Sequence, residues 1–290
     1  MTPPRRIFVL SLCRNCEATL PSFLGMFSGI ASGAGLEIRV LLGENGSTDG
    51  TRALIEHAAV DNPWLTIVDT DFMADIPERL ARMAAGREAM RKSLPPARPG
   101  DAVLVLDTDL ELIRPLDSTT LTAALAELDQ PLTTGVCSYS LPLHYDILAF
   151  RETAQSYSPA TALHLASMGP RDFLSRLLRL PGKIVGAARV SRQQRRIGVG
   201  SGKAFVSAFN GLCLYRRPLY DEVSYLAPSI DCEHVILHLA MHRKTGGMIR
   251  VSNHIGVKAP LEHVVPVLRQ VLNILGRLPA SLSHRKSEVR

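Results

Sequence analysis

An α/β chain with a mostly parallel central sheet flanked by helices, in a single fused domain, is what this sequence predicts, on three observations. Between Ile7 and Leu110, short apolar runs alternate with segments of helical periodicity. The runs are apolar throughout, the pattern of parallel strands covered on both faces. Polar clusters at Asn15, Glu44 to Asp49, Asp69 to Asp71 and Asp107 to Asp109 follow the ends of these runs, where ligands bind in such sheets.

The elements follow in order. Ile7 to Leu12 reads as the first strand. Glu17 to Ile30 reads as a helix, with Pro21 tolerated in its first turns and Leu20, Phe23, Leu24, Phe27 and Ile30 on one face. The uncharged stretch Ala18 to Leu36 approaches a membrane span in length, but Pro21, Ser28, Gly29, Ser32 and Gly33 dilute it, and a packed amphipathic helix is the expectation. Glu37 to Leu42, Leu65 to Val68 and Ala102 to Leu106 are further strands, and Thr51 to Ala59 and Ile76 to Lys92 are helices. The loop Leu94 to Gly100 holds three prolines and stops regular structure. Beyond it, Thr133 to Ser140 and Ala204 to Tyr215 read as strands, the second interrupted by Asn210-Gly211. Cys232 to His242 reads as a helix and Met248 to Ser252 as a strand.

Composition bounds the function. A chain of 290 residues, 46% hydrophobic and 21% charged, can bury a large core without staples and is not a disordered segment. Its net charge of +6 suits an anionic ligand or membrane surface. Nucleic acid is not an expected partner, because the basic residues are not interleaved with aromatics. Five scattered cysteines favour a reducing, cytoplasmic compartment over a secreted disulfide framework. Arg5 and Arg6 before Ile7 to Leu12 mimic an export signal, but the apolar run is too short.

Asp107-Thr108-Asp109 carries the strongest chemistry. Two carboxylates one residue apart at the end of a buried strand can hold a divalent cation, which bridges phosphates and stabilises charge on a leaving diphosphate. Solvated acids at a strand end are the plain alternative. In Glu44-Asn45-Gly46-Ser47-Thr48-Asp49-Gly50-Thr51, Asn-Gly and Asp-Gly favour tight turns. Ser47, Thr48 or Asp49 is placed to cap the next helix.

The run ENGSTDGT resembles the DNGSTDGT signature of family 2 glycosyltransferases and their GT-A relatives, and its distance ahead of LVLDTDL fits the same pattern. The resemblance covers Arg6 to Leu110. Further on, HYDILAFR (His144 to Arg151), FNGLCLYR (Phe209 to Arg216) and DCEHVILH (Asp231 to His238) are similar to a capsule-type α-mannosyltransferase group, family 69-like. The resemblance implies a GT-A, Rossmann-like fold and an enzyme that moves a sugar, as a hexosyl- or mannosyltransferase, from a GDP- or UDP-sugar to a glycan or lipid-linked acceptor with Mn2+ or Mg2+. It implies a nucleotide-sugar-binding half over 1–132, an acceptor half over 133–262, and a terminal helix and polar tail over 263–290. Asn15, Glu44, Asn45 and Asp49 would shape the donor pocket, with Glu44 standing where the family has Asp. Asp109 would be the principal metal ligand, and Asp107 would contact ribose or metal. Of the arginines before the Asp-x-Asp strand, Arg82 and Arg87 are the candidates for the diphosphate, and Arg79 reads equally as a solvated helix residue.

In the second half, Glu233 is the candidate base for the acceptor hydroxyl in an inverting enzyme, with Asp231 beside it; in a retaining enzyme Glu233 would hold the acceptor instead, and the plain alternative is an Asp231 cap with Glu233 in the first helical turn. His234, His238 and His242 share a helix face, yet three histidines along one helix cannot easily close on one ion. The late metal ligand implied by the resemblance falls on His254, with His238 in reserve. Cys13 and Cys16 form a C-x-x-C between strand and helix, the placement of a redox pair. The basic stretch 171–203, ending in the glycine-rich loop Gly198 to Gly202, fits peripheral contact with the inner face of a membrane, closure over a diphosphate, or an exposed insertion. The rival classes are a sugar-phosphate nucleotidyltransferase, disfavoured because Ser11 to Glu17 lacks a glycine-rich basic loop, and a nucleotide-sugar-binding protein without turnover.

Overall fold

The computed structural model describes residues 4–33, 35–156, 180–228 and 231–260. Its first strand, β1 (Arg5–Cys13), explains the architecture: Ile7 and Val9 enter one core and Phe8 and Leu10 another, so both faces are covered. Three more parallel strands flank it: β2 (Leu36–Glu44), β3 (Leu65–Asp69) and β4 (Ala102–Leu106). The helices α1 (Leu20–Ala31), α2 (Thr51–Asp61) and α3 (Arg79–Lys92) make the crossovers, α3 after a 3-10 turn at Asp71–Asp75. β3 is an edge strand with much of its length exposed, so the expectation of burial throughout fails there.

The second half extends the same sheet. α4 (Ser118–Leu128), which the sequence reading leaves unassigned, is capped by Asp117 through Thr120 N–H at 2.7 Å and leads to β5 (Thr133–Leu141). α5 (Leu180–Ile197), β6 (Ala204–Phe205), β7 (Leu212–Arg216), α6 (Arg217–Asp221), α7 (Glu233–Thr245) and β8 (Met248–Lys258) complete the order. The sheet runs β3-β2-β1-β4-β7-β5-β8-β6, with β7 and β6 antiparallel to their neighbours. This is the mostly parallel, single fused domain expected.

Ala204 to Tyr215 is not one strand. Asn210 and Gly211 both take the left-handed backbone, at φ 54° and 78°, and the break sends β6 and β7 to different places in the sheet. α1 starts at Leu20, with Pro21 in its first turn, and buries Leu20, Phe23, Phe27 and Ile30 as a packed helix should. No helix among the described residues is long and apolar enough to cross a membrane. The segment 171–179 and the tail 263–290 lie outside the described residues.

Candidate active site

β1 to β5 and β8 point their carboxyl ends to one edge, where β7 begins after Asn210-Gly211. The first-half loops there are tied to one another by side chains. Asn15, at φ 54°, accepts Thr48 N–H on its Oδ1 at 2.8 Å, and its own N–H donates to Ser47 Oγ at 3.0 Å. Asn45 is buried and donates to Cys13 O. The Glu44 carboxylate is 1% exposed and holds Ser47 N–H at 2.7 Å and the Arg52 guanidinium, which also reaches Asp71. Asp49 accepts Thr51 N–H and Glu17 N–H, and the Thr51 bond first, then the other N–H groups, hold its pKa down. It ties the β1 loop to the start of α2, whose N-cap residue is Gly50.

At the centre lies Arg87. It is 2% exposed and donates from Nη2 to Asp107 Oδ1 at 2.6 Å. Burial works against its charge, but Asp107, Tyr225 and Glu233 outweigh burial and raise its pKa. Its Nε and Nη1 are buried and make no hydrogen bond in the described structure, a costly arrangement for a cation. Asp107 is pushed up by desolvation and by Asp109, against the pull of Arg87. Thr108 Oγ1 lies 3.1 Å from Cys16 Sγ, and Asp109 is exposed at the rim. A cleft of roughly 400 Å³ opens between α1 and Asp107 to Leu112. A second, of roughly 480 Å³, lies apart, between Glu222 to Ala227 and α7.

The second half delivers two further carboxyls. Glu233 opens α7, is 6% exposed, and accepts from Cys232 Sγ at 3.6 Å. Asp146 follows β5. Burial, opposed by Ala149 N–H and assisted by Asp107 and Glu233, pushes it up to about 7, while Arg79 pulls it back. Asp107, Asp146, Glu233 and Arg87 therefore sense one another across the site.

Behind them is a buried polar frame. Ser207 Oγ donates to Ala149 O at 2.6 Å, so it accepts from His238 Nδ1 at 2.8 Å, and Tyr215 O–H donates to Nε2 at 2.7 Å. His234 stacks on Phe209 with ring centroids 3.5 Å apart, and His242 donates from Nδ1 to Gly247 O at 2.8 Å. Burial first, then Arg87 and His238, keep His234 far below the ordinary imidazole value, and burial holds His238 near 3. The three rings are held apart by different neighbours, with His234 Nδ1 buried and unpaired, and among the described residues they are not gathered into a metal site.

Several expected residues sit elsewhere. Arg82 turns to Ile76 O at 3.1 Å, bracing the start of α3, because its place on the helix faces that turn. Asp231 gives both carboxylate oxygens to Arg151, at 2.5 and 2.7 Å, so it anchors the approach to α7. His254 has Glu127 as its ionic neighbour at 3.9 Å, and no group of three or more His, Cys, Asp or Glu among the described residues is gathered to hold a metal. Burial, then Cys16 and the nearby carboxylates, push Cys13 up to about 12, the opposite of a redox thiolate. The Gly198 to Gly202 loop is pinned, with Gly198 O accepting His144 N–H and Gly202 N–H donating to Val251 O, so it is not a free flap. The sequence reading missed Arg52, Arg151 and Asp146 as site or anchoring residues. An acid set directly before the apolar run Ile147 to Phe150 was the available signal for Asp146.

Asp107 and Asp109 fit Mg2+ or Mn2+ in kind. These ions take hard oxygens, often one or two carboxylates with substrate phosphates and water completing the shell, and a full protein cage is not required. Arg87, bound to Asp107, adds a planar guanidinium of the kind that suits phosphate oxygens.

The architecture is that of GT-A glycosyltransferases. No protein-family model and no curated protein matches the chain, but solved structures do. A mannosyltransferase from Pyrobaculum calidifontis, in complex with GDP-Man and Mn2+, is 13% identical with TM-score 0.50, covering 100% of this chain and 67% of that one. Glucosyl-3-phosphoglycerate synthase from Mycobacterium tuberculosis, in complex with phosphoglyceric acid, is 15% identical with TM-score 0.48, covering 96% and 82%. Mannosyl-3-phosphoglycerate synthase from Rubrobacter xylanophilus is 14% identical with TM-score 0.47, covering 95% and 77%. At 13% identity the likeness to the Pyrobaculum calidifontis enzyme is one of fold.

Proposed function

We propose that this chain is a divalent-metal-dependent glycosyltransferase that moves a hexosyl group, mannosyl in the narrower reading, from a GDP- or UDP-sugar to a glycan or lipid-linked acceptor. The observation that carries the reading is Arg87, a buried cation with two unpaired nitrogens beside Asp107, at the edge where the first-half loops converge. Elements up to α4 seat the donor and those from β5 onward present the acceptor.

Asn15, Asn45, Glu44 and Asp49 shape the nucleoside pocket, and Arg52 covers Glu44 within it. Asp109 and Asp107 would hold the cation, with substrate phosphates and water completing its shell. When bound, Mn2+ or Mg2+ neutralises the diphosphate and the charge that builds as it leaves. Arg87 adds a planar cation to the same oxygens. Glu233 takes the proton of the acceptor hydroxyl, and Asp231, through Arg151, positions the start of α7. The family 69-like residues lie on this acceptor side. Arg189, Arg192 and Arg196 share the outer stripe of α5, opposite Ala187, Val190, Gln194 and Ile197, and would meet the inner face of an anionic membrane carrying a lipid-linked acceptor.

A nucleotidyltransferase would offer backbone N–H groups after β1 to a phosphate. Here those of Asn15, Cys16 and Glu17 are spent on Ser47, Thr51 and Asp49. Thermal-shift titrations with GDP, UDP and their sugars, with and without Mn2+, test the reading, since a ligand that binds the fold raises its melting point. Nucleotide-sugar hydrolysis should be metal-dependent and fall about a hundredfold in Asp109→Ala. Binding without any turnover would point instead to a binding protein.

A further inference from the structure

The carboxyls at the site differ in what they already hold. Asp107 has Arg87 at 2.6 Å. Glu233 has the Cys232 thiol at 3.6 Å and His234 Nε2 at 3.5 Å. Asp146 is fixed through one side only. Its N–H donates to Asn210 Oδ1 at 3.3 Å, and its Oδ1 accepts Ala149 N–H at 3.2 Å. Its Oδ2 makes no hydrogen bond among the described residues, and the residue is half-buried, so that oxygen stays reachable.

The loop around Asp146 is braced rather than free. Asn210 Nδ2 donates to Ser138 O at 3.0 Å and to His144 Nδ1 at 2.8 Å. Gln194 Nε2 donates to Tyr145 O at 3.4 Å, and His144 N–H to Gly198 O at 2.7 Å. Asp146 N–H and Asp107 N–H both bond to the Asn210-Gly211 turn, at Asn210 Oδ1 and, at 2.9 Å, at Gly211 O, so the two acids are brought to the same end of the sheet. Asp146 comes from the β5 loop, across β7 from the Asp-x-Asp strand and away from the nucleoside loops.

Resting on the glycosyltransferase reading, we propose that Asp146 Oδ2 accepts a hydrogen bond from the acceptor hydroxyl next to the attacking one, or from the second hydrogen of a water in its place, and so orients the attacking oxygen toward the sugar carbon. The attacking oxygen then bonds to the anomeric carbon. The bond from that carbon to the phosphate oxygen breaks with its electron pair on the leaving diphosphate, and the proton of the attacking hydroxyl passes to Glu233. Water in the acceptor's place is held in the same way, so donor hydrolysis reports on it.

Asp146→Asn is the informative variant. It keeps the shape and, through its own Oδ1, the bond to Ala149 N–H, but turns an NH2 donor toward the hydroxyl; Asp146→Ala is the second variant. With GDP-mannose and UDP-glucose in Mn2+, calorimetric titration should give donor affinities within about twofold of wild type for Asp146→Asn, while kcat for donor hydrolysis falls at least about tenfold. Asp146→Ala should fall as far. Wild-type turnover in Asp146→Asn would make the residue structural and overturn the proposal. Loss of donor binding in that variant would assign Asp146 to the metal or donor and overturn it as well. So would a wild type that binds donor yet releases no sugar to water. A wild type that binds neither donor with Mn2+ is a different failure, and it takes the glycosyltransferase reading down first.

Discussion

The loops after β1 and β2 and the frame behind β5, β7 and α7 are both polar, yet they are built in opposite ways. In the first, side chains such as Asn15, Glu44 and Asp49 satisfy backbone N–H groups a few residues away or in the adjacent loop, and much of the surface stays open. In the second, His144, His238, Ser207, Tyr215 and Asn210 are fully buried and bond to one another across long stretches of chain, with His144 Nε2 left unpaired. The open loops can adapt to a nucleoside at low cost. The buried frame cannot shift without leaving a polar group unpaired, which suits it to hold Glu233 and Asp146 still.

Arg87 stands between the two regions, and its removal should have the largest effect. Arg87→Met deletes the cation bound to Asp107 and leaves Asp107 and Glu233 opposed, and on the proposed reading it removes the group that meets the diphosphate. Donor affinity in Mn2+ should drop about a hundredfold by calorimetry. An affinity unchanged in this variant would detach Arg87 from the diphosphate.

His238→Leu tests the rigid region. It strands the buried Tyr215 hydroxyl and the Ser207 acceptor, and chemical denaturation should show a loss of about 2–4 kcal/mol. It should also change the pH response. Burial keeps His144 and His238 neutral, near 3, so below about 6.5 the unfolded chain takes up protons that the fold does not. Stability from these two groups is complete above that value and drains away as pH falls toward 3. The variant should lose one proton's share of that slope, about 1.4 kcal/mol per pH unit. A parallel profile for wild type and variant would argue that His238 is not held neutral.

The smallest effect belongs to the open region. Asn15→Ala loses the bond to Thr48 N–H and puts Ala at φ 54°, at about 1–2 kcal/mol, whereas Asn15→Gly should recover most of the backbone part. Equal melting points for the two variants would show that the left-handed backbone is not what selects Asn there.

The same contrast decides what could be read in advance. The strands β1 to β4, the turn at Glu44 to Gly50 and the acids after β4 are local patterns, and they stand where the apolar runs and turn residues place them. Glu233 is legible for the same reason, as an acid in the first turn of a clear helix. Asp146, Arg151 and Arg52 gain their meaning from partners far along the chain, Asn210, Asp231 and Asp71 among them, and no spacing rule links those pairs. Arg82 and Arg87 look alike in sequence, and only the rotation of α3 against the sheet turns one to Ile76 O and the other to Asp107. α4 went unassigned because its apolar positions are diluted by Ser118, Thr119, Thr120 and Thr122 at its start.

β7 pairs with β4 on one side and β5 on the other, although it enters the chain long after both. During synthesis those two strands must therefore wait with unpaired edges until Leu212 to Arg216 has left the ribosome. A fragment ending before Leu212 would carry the loops after β1 to β4 and still lack the strand that seals its sheet, so it should aggregate instead of folding as a smaller domain.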